Sequence, residues 1–238
     1  ILRVYYNIKN NSGRVILVEG AAEVSAEQGG SFLYLPEPYT VRQPEDIYRY
    51  RHILPGANIQ TDLLFAYEPE GGAVTVHFTD YESGESFSFT LDPENLPGRP
   101  EEFVFAEENT DLAFLSGLEN SAPDASVIRY EVLPDAYGDD AIRVFAEFTN
   151  TGSEKTSFYA DHYLSVFQNG ISLADAMILE WDDSDMAGYT EIEPGETITF
   201  SEYFSLNGDA PAAVVIRCPM LYGDTAYGLV WDSLERPE

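Results

Sequence analysis

Two stretches of this chain concentrate residue types that do chemistry. Asp182-Asp183-Ser184-Asp185, with Glu180 just ahead of it, is the densest carboxylate cluster. Ca²⁺ is held by many oxygen ligands on flexible acidic loops, so the side chains suit that ion. Their spacing is not that of an EF-hand loop, because Asp183 and Asp185 are followed at the next alternate position by Ala187 and neither Asn nor Gly falls in register. A solvated acidic loop is the plainer reading, with Glu180, Asp182, Asp183 and Asp185 as candidate Ca²⁺ ligands beside it. The second stretch, Tyr39–His52, interleaves Arg42, Arg49, Arg51 and His52 with Tyr39, Tyr48 and Tyr50. Arg and Tyr dominate interface hot spots, which makes Arg42, Tyr48, Arg49, Tyr50 and Arg51 candidate contacts. Local pairing of these arginines with Glu37, Glu45 and Asp46 is the simpler alternative.

Nucleophilic catalysis needs an activated Ser or Cys, a base and a group that orients the base. His162 shares strand parity with Phe158, Ala160, Leu164 and Val166, which marks a hydrogen-bonded histidine on an inner face. His77 alternates with apolar neighbours as a surface position, Arg217 standing in its place in the second copy described below, and His52 falls in a loop. The lone Cys218 ends a strand beside Pro219 with no nearby positive charge to activate it. No nucleophile elbow, zinc spacing or phosphate-cradling loop occurs. The chain is not expected to be an enzyme or to carry a cofactor, Ca²⁺ being the one alternative.

The formal net charge of −30, from 42 acidic and 12 basic residues, disfavours phosphate backbones and anionic lipid surfaces as partners. A hydrophobic content of 44% still implies packed cores, and no apolar run is long enough to span a bilayer. With one cysteine, no intrachain disulfide forms.

The elements that must position these residues occur twice. Asn10, Gln28 and Gly30 recur 140 positions later as Asn150, Gln168 and Gly170, and Pro55 recurs 139 positions later as Pro194. Leu2, Val4, Tyr6 and Ile8 alternate with Arg3, Tyr5, Asn7 and Lys9, and Ile142, Val144, Ala146 and Phe148 share one face in the second copy, which is strand periodicity. Asn10-Asn11-Ser12 matches a glycosylation pattern but reads as turn chemistry before Gly13. Further strands are expected at 16–24, 59–67, 73–78 and 86–91, then at 127–133, 156–168, 171–179, 197–206, 213–218 and 226–231. About seven strands per copy with turn signals between them fit a sandwich. The boundaries follow: a β-sandwich over 1–92, a Pro-rich connection over 93–125, and a second sandwich over 126–238. The connection should not be a plain linker, since Phe103-Val104-Phe105 is β-like and Leu112, Phe114, Leu115 and Leu118 suit a helical turn. The first copy lacks a counterpart of the strand at 127–133. Glu102–Ala106 is expected to add to it or cover its edge. A segment upstream of Ile1, whether a signal, an anchor or a first strand, is also expected.

The strings FTNTGSEKTSF (148–158), VFQNG (166–170) and IEPGETIT (192–199) resemble telokin-like, immunoglobulin-fold domains of unknown function in exported lipoproteins of Gram-positive, often gut-dwelling, bacteria. KNNSG (9–13), EQGG (27–30) and LPGANIQ (54–60) extend the resemblance over the first copy. The resemblance implies an all-β protein of two tandem immunoglobulin-like β-sandwiches, outside the cytoplasm and secreted or lipid-anchored, with no catalytic residues. The resulting expectation is an interaction or adhesion module at a bacterial surface, with protein or glycan partners. The alternative is a Ca²⁺- or small-ligand-binding module.

Overall fold

The computed structural model describes residues 1–34, 50–96, 117–119, 121–218, 225–231 and 234–235. Arg42, Tyr48, Arg49 and the Glu102–Ala106 run lie outside them, as does the expected helical turn apart from Leu118. The chain divides into two compact units, Ile1–Asn11 with Val15–Asn109, and Ser12–Arg14 with Thr110–Glu238. Their secondary structure is almost entirely antiparallel β. Among the described residues no helix is long and apolar enough to cross a membrane.

In the second unit β9 (Ala125–Pro134) and β10 (Asp140–Thr149) form a hairpin closed by Gly138 at φ 88°. β10 then pairs with β13 (Thr197–Ser205), giving the order β13-β10-β9. A second sheet runs through β11 (Tyr163–Gln168), β12 (Ile171–Ser172), β14 (Ala212–Cys218) and β15 (Thr225–Trp231). Ile142, Val144, Ala146 and Phe148 of one sheet and Leu164, Val166, Val214 and Ile216 of the other share a single core. The alternation in β10 is thus the period of a face turned inward.

The first unit repeats much of this with fewer strands. β1 (Leu2–Lys9) pairs with β6 (Asn58–Phe65), and a four-stranded sheet contains β3 (Ala22–Gln28), β4 (Ser31–Phe32), β7 (Val74–Asp80) and β8 (Ser86–Leu91) in the order β4-β3-β7-β8. Leu2, Val4, Ala26, Phe65, Val74, Val76 and Phe78 form its core. Two short strands, β2 (Ile16–Leu17) and β5 (His52–Ile53), pair with each other, so His52 belongs to a strand and not to a loop.

The repeated polar residues make the same bonds in both units. Asn10 is fully buried and its Nδ2 donates to the Ile53 carbonyl, while its backbone exchanges bonds with Ala57 and Gly56. Asn150 donates from Nδ2 to the carbonyls of Glu154 and Ile192, and its backbone bonds to Glu196 and Gly195. Gly56 and Gly195 both take a left-handed φ, 82° and 83°, to complete that turn. Gln28 clasps its turn through Glu68 and Gly72, and Gln168 through Asn207 and Ala210. A buried backbone group left without a partner is costly, so these side chains are what allows the loops to enter the core. Burial also removes Asn10 as a glycosylation acceptor.

Three strand expectations need correction. The expected strand at 16–24 breaks at Gly20, separating β2 from β3. The strand expected at 156–168 opens instead with a single helical turn, Phe158–Asp161. Phe158 and His162 are four residues apart, a spacing that satisfies both strand parity and one helical turn. The run 171–179 is a strand only at Ile171–Ser172. It then leaves β11 for the edge of β13, where Ser205 N donates to Ala174 O at 2.8 Å and Ala176 N donates to Tyr203 O at 2.9 Å.

Candidate interaction surface

Inward-facing Ile142 and Val144 force Arg143 onto the outer face of β10. A guanidinium there needs acceptors, and the loop from Leu173 to Thr190 supplies them. Arg143 Nη2 lies 2.5 Å from Asp182 Oδ2, 2.7 Å from Asp185 Oδ1 and 2.9 Å from Ser184 Oγ. Its Nε reaches Ser201 Oγ on β13 at 3.1 Å. The guanidinium also sits over the rings of Phe145 and Tyr203, at 4.4 and 5.0 Å. Asp185 is buried, and besides Arg143 it accepts from Ser201 Oγ at 2.6 Å and from the Asp182 N–H at 2.6 Å. The bonds from the Ser184 hydroxyl, then from Arg143, hold the Asp182 carboxyl down at about 2.

The acidic cluster is therefore split. Asp182 and Asp185 close on an arginine, whereas Glu180 and Asp183 are exposed. Among the described residues no three His, Cys, Asp or Glu side chains converge as a metal ion would require. Of the Arg/Tyr stretch, Tyr50 is exposed and Arg51 partly so.

Beyond the latch the loop is pinned on both sides. Ala136 N donates to Met177 O at 2.7 Å, and Ser201 N donates to Ser184 O at 3.1 Å. The 3₁₀ turn Ala187–Tyr189 presses on the sandwich at Gly188, where a Cβ would come within 2.8 Å of Tyr159 and 3.0 Å of Phe200. Tyr189 stacks on Tyr159 with ring centroids 4.4 Å apart. This fixed loop holds most of its large apolar side chains in water: Leu179 is 77% and Trp181 62% exposed, and Met177, Met186 and Tyr189 are each more than half exposed. Tyr137, in the β9–β10 turn, reaches Met177 Sδ at 3.6 Å.

Next to the loop, Glu202 on β13 is half-buried near Asp175 and Asp185 and bonds to Tyr159. Burial, aided by the two neighbouring carboxylates, pushes its carboxyl up to about 7. His162 is buried between Phe148 and Phe158, and its Nε2 lies 3.0 Å from Asp124 Oδ1. Cys218 is buried, and burial with the nearby charges of Asp124 and Asp161 pushes its thiol up to about 12, the reverse of what a nucleophile needs. His77 lies across from Ser25 on β3, so its counterpart by strand pairing is Val215, across from Ser165, and not Arg217. Its Nδ1 and Ser88 Oγ are 2.8 Å apart.

Sequence reasoning missed both parts of this surface. The signal for the latch is the recurrence of Arg3 as Arg143 at the repeat spacing. Arg3 Nη1 meets Asp62 Oδ2 at 2.5 Å, and Asp62 lies across from Tyr5 just as Ser201 lies across from Phe145. The signal for the apolar loop is the run from Met177 to Tyr189, which alternates with neither helical nor strand period. A family model described as a domain of unknown function, DUF5067, matches residues 117–216, which take in β9 to β13, most of β14 and the whole loop. No curated protein and no solved structure matches the chain.

Proposed function

We propose that the chain is a non-enzymatic interaction or adhesion module built of two tandem immunoglobulin-like, telokin-like β-sandwiches. It is exported and held at the surface of a Gram-positive bacterium, and the loop Met177–Tyr189 makes the contact. The carrying observation is that Met177, Leu179, Trp181, Met186 and Tyr189 stand in water on a loop latched by Arg143. Large apolar side chains grouped in water mark contact sites, and Trp, Tyr and Met are favoured in them. Fixing the loop beforehand lowers the ordering cost of binding. Glu180, Asp183 and Glu191 around the apolar residues favour a partner with basic residues. The export and lipoprotein reading rests on the resemblance of the turn motifs.

The test compares binding of the whole chain and of the Leu179→Ser/Trp181→Ser variant to immobilised cell-surface proteins and glycans, at low and high salt. The reading requires a partner whose binding weakens about tenfold or more in the variant and also weakens with salt. Binding that is indifferent to both changes sinks it.

A further inference from the structure

The loop Met177–Tyr189 holds two of the chain's three methionines, Met177 and Met186. They are 57% and 56% exposed. A thioether reacts through a sulfur lone pair and needs no deprotonation first, so access to solvent governs its oxidation. The remaining sulfur among the described residues, Cys218, is buried, and burial holds its thiol protonated. An oxidant that reaches the described part of the chain therefore meets sulfur on the loop first.

Two features of this placement distinguish a built site from random damage. First, the bonds that seat the loop pass through neither sulfur. Arg143 reaches Asp182, Ser184 and Asp185, Ser201 N donates to Ser184 O, and Ala136 N donates to Met177 O. The backbone thus stays pinned whatever the state of the two sulfurs. Second, Tyr137, itself 76% exposed, donates from its hydroxyl to Met177 Sδ at 3.6 Å. A thioether is a weak acceptor. A sulfoxide oxygen on that sulfur carries partial negative charge and accepts the same hydroxyl more strongly, so the oxidised side chain finds a donor already in place.

We propose that Met177 and Met186 form a reversible oxidation site, which turns the apolar face of the loop polar and leaves the fold intact. The oxidant is hydrogen peroxide. A sulfur lone pair attacks one peroxide oxygen, an S–O bond forms and the O–O bond breaks. The proton of the transferred oxygen passes to the departing one, which leaves as water. Sulfur loses two electrons and the peroxide gains them. A dithiol, acting through a sulfoxide reductase, restores the thioether; the oxygen leaves as water and the dithiol becomes a disulfide. Beside Leu179 and Trp181 the new polar oxygen must shed its water before an apolar partner can dock, which costs affinity. That loss of contact rests on the reading of Met177–Tyr189 as the contact loop, whereas the oxidation itself does not.

The test treats the whole chain with hydrogen peroxide, in buffer and in urea, and maps the added oxygen by peptide mass spectrometry. Met177 and Met186 should each gain one oxygen in the folded chain at a rate within about fivefold of that in urea. The face of the loop is read by retention on a phenyl-substituted resin, which needs no natural partner. The oxidised chain should elute earlier and return to its first position after treatment with a methionine sulfoxide reductase and dithiothreitol. Met177→Leu/Met186→Leu, a change that conserves volume, should keep its retention through the same peroxide treatment and unfold at the same urea midpoint as the oxidised parent. Four results overturn the proposal: slower oxidation than that, retention that stays put or shifts equally in the leucine variant, a midpoint below that of the equally treated variant, or sulfoxides that the reductase leaves in place. The contact reading fails differently, through an unoxidised chain that binds no cell-surface partner.

Discussion

Replacing Arg143 by Met keeps most of the side-chain length over Phe145 and Tyr203 but removes the charge that Asp185 faces. The Asp185 side chain has no solvent exposure, and that of Arg143 has 12%. Removing one partner of a buried pair costs about 3–5 kcal/mol, because the other charge is left stranded. Asp185 keeps its bonds from Ser201 and from the Asp182 N–H, which places the loss near the lower end, about 3 kcal/mol. Substituting both members, Arg143→Met with Asp185→Asn, removes the stranded charge and should recover about 2 kcal/mol of that loss. Both tryptophans, Trp181 and Trp231, lie in the second unit, so urea unfolding followed by their fluorescence reads that unit. Trp181 lies on the latched loop, so the single variant should also open the loop to proteases before the unit unfolds. A single variant within about 0.5 kcal/mol of the parent would mean that the pair behaves as a surface ion pair, and the latch argument would fail. A double variant that loses the sum of its two single changes would refute the coupling as well.

The other perturbations test different parts of the same unit. The folded-state pKa of Glu202, about 7, stands above its ordinary 4.5, so the folded chain keeps a proton that the unfolded chain gives up in that window. Its contribution is present below pH 4.5 and is lost as pH rises through 7; with part of the carboxyl in water the loss is about 2 kcal/mol, and Glu202→Gln should gain that much relative to the parent between pH 5 and pH 8. Parallel pH–stability profiles for the two proteins would contradict this. Asn150→Ala strands the carbonyls of Glu154 and Ile192 and should cost about 2–3 kcal/mol in urea unfolding, against near neutrality for a change at exposed Glu154. Because Arg143 already neutralises Asp182 and Asp185, neither Ca²⁺ nor EDTA should move the thermal midpoint, and a saturable rise with Ca²⁺ would restore the cation reading of Glu180 and Asp183.

What the sequence disclosed and what it hid have physical causes in particular residues. Asn10 and Asn150, Gln28 and Gln168, and Gly56 and Gly195 recur because each meets a demand of the backbone that few side chains can meet. Such positions are legible from spacing alone. So are Ile142, Val144, Ala146 and Phe148, whose alternation is the pleat itself. The turn at Phe158–Asp161 was hidden because spacing by four serves helix and strand equally, and the stacking of His162 on Phe158 needs only that spacing. The latch was hidden for another reason. An acidic run looks the same whether water, a metal ion or an arginine neutralises it, and the arginine lies some 40 residues earlier, on another strand. The exposed loop escaped because side chains that stand mostly in water, as Leu179 and Trp181 do, impose no period on its sequence.

The two repeated arginines find their carboxylates in different places. Arg3 meets Asp62, which belongs to the neighbouring strand of the same sheet, whereas Arg143 meets Asp182 and Asp185, which belong to a loop. After a duplication that difference sets how freely each copy can drift. In the first copy the countercharge travels with the sheet, so residues inserted or deleted between β4 and β5 leave the Arg3–Asp62 pair in place. In the second copy, an insertion or deletion between Ala174 and Trp181 would carry Asp182 and Asp185 away from Arg143 and leave a cation without a partner. The length of that segment should vary less among descendants of the second copy than its amino-acid identities do.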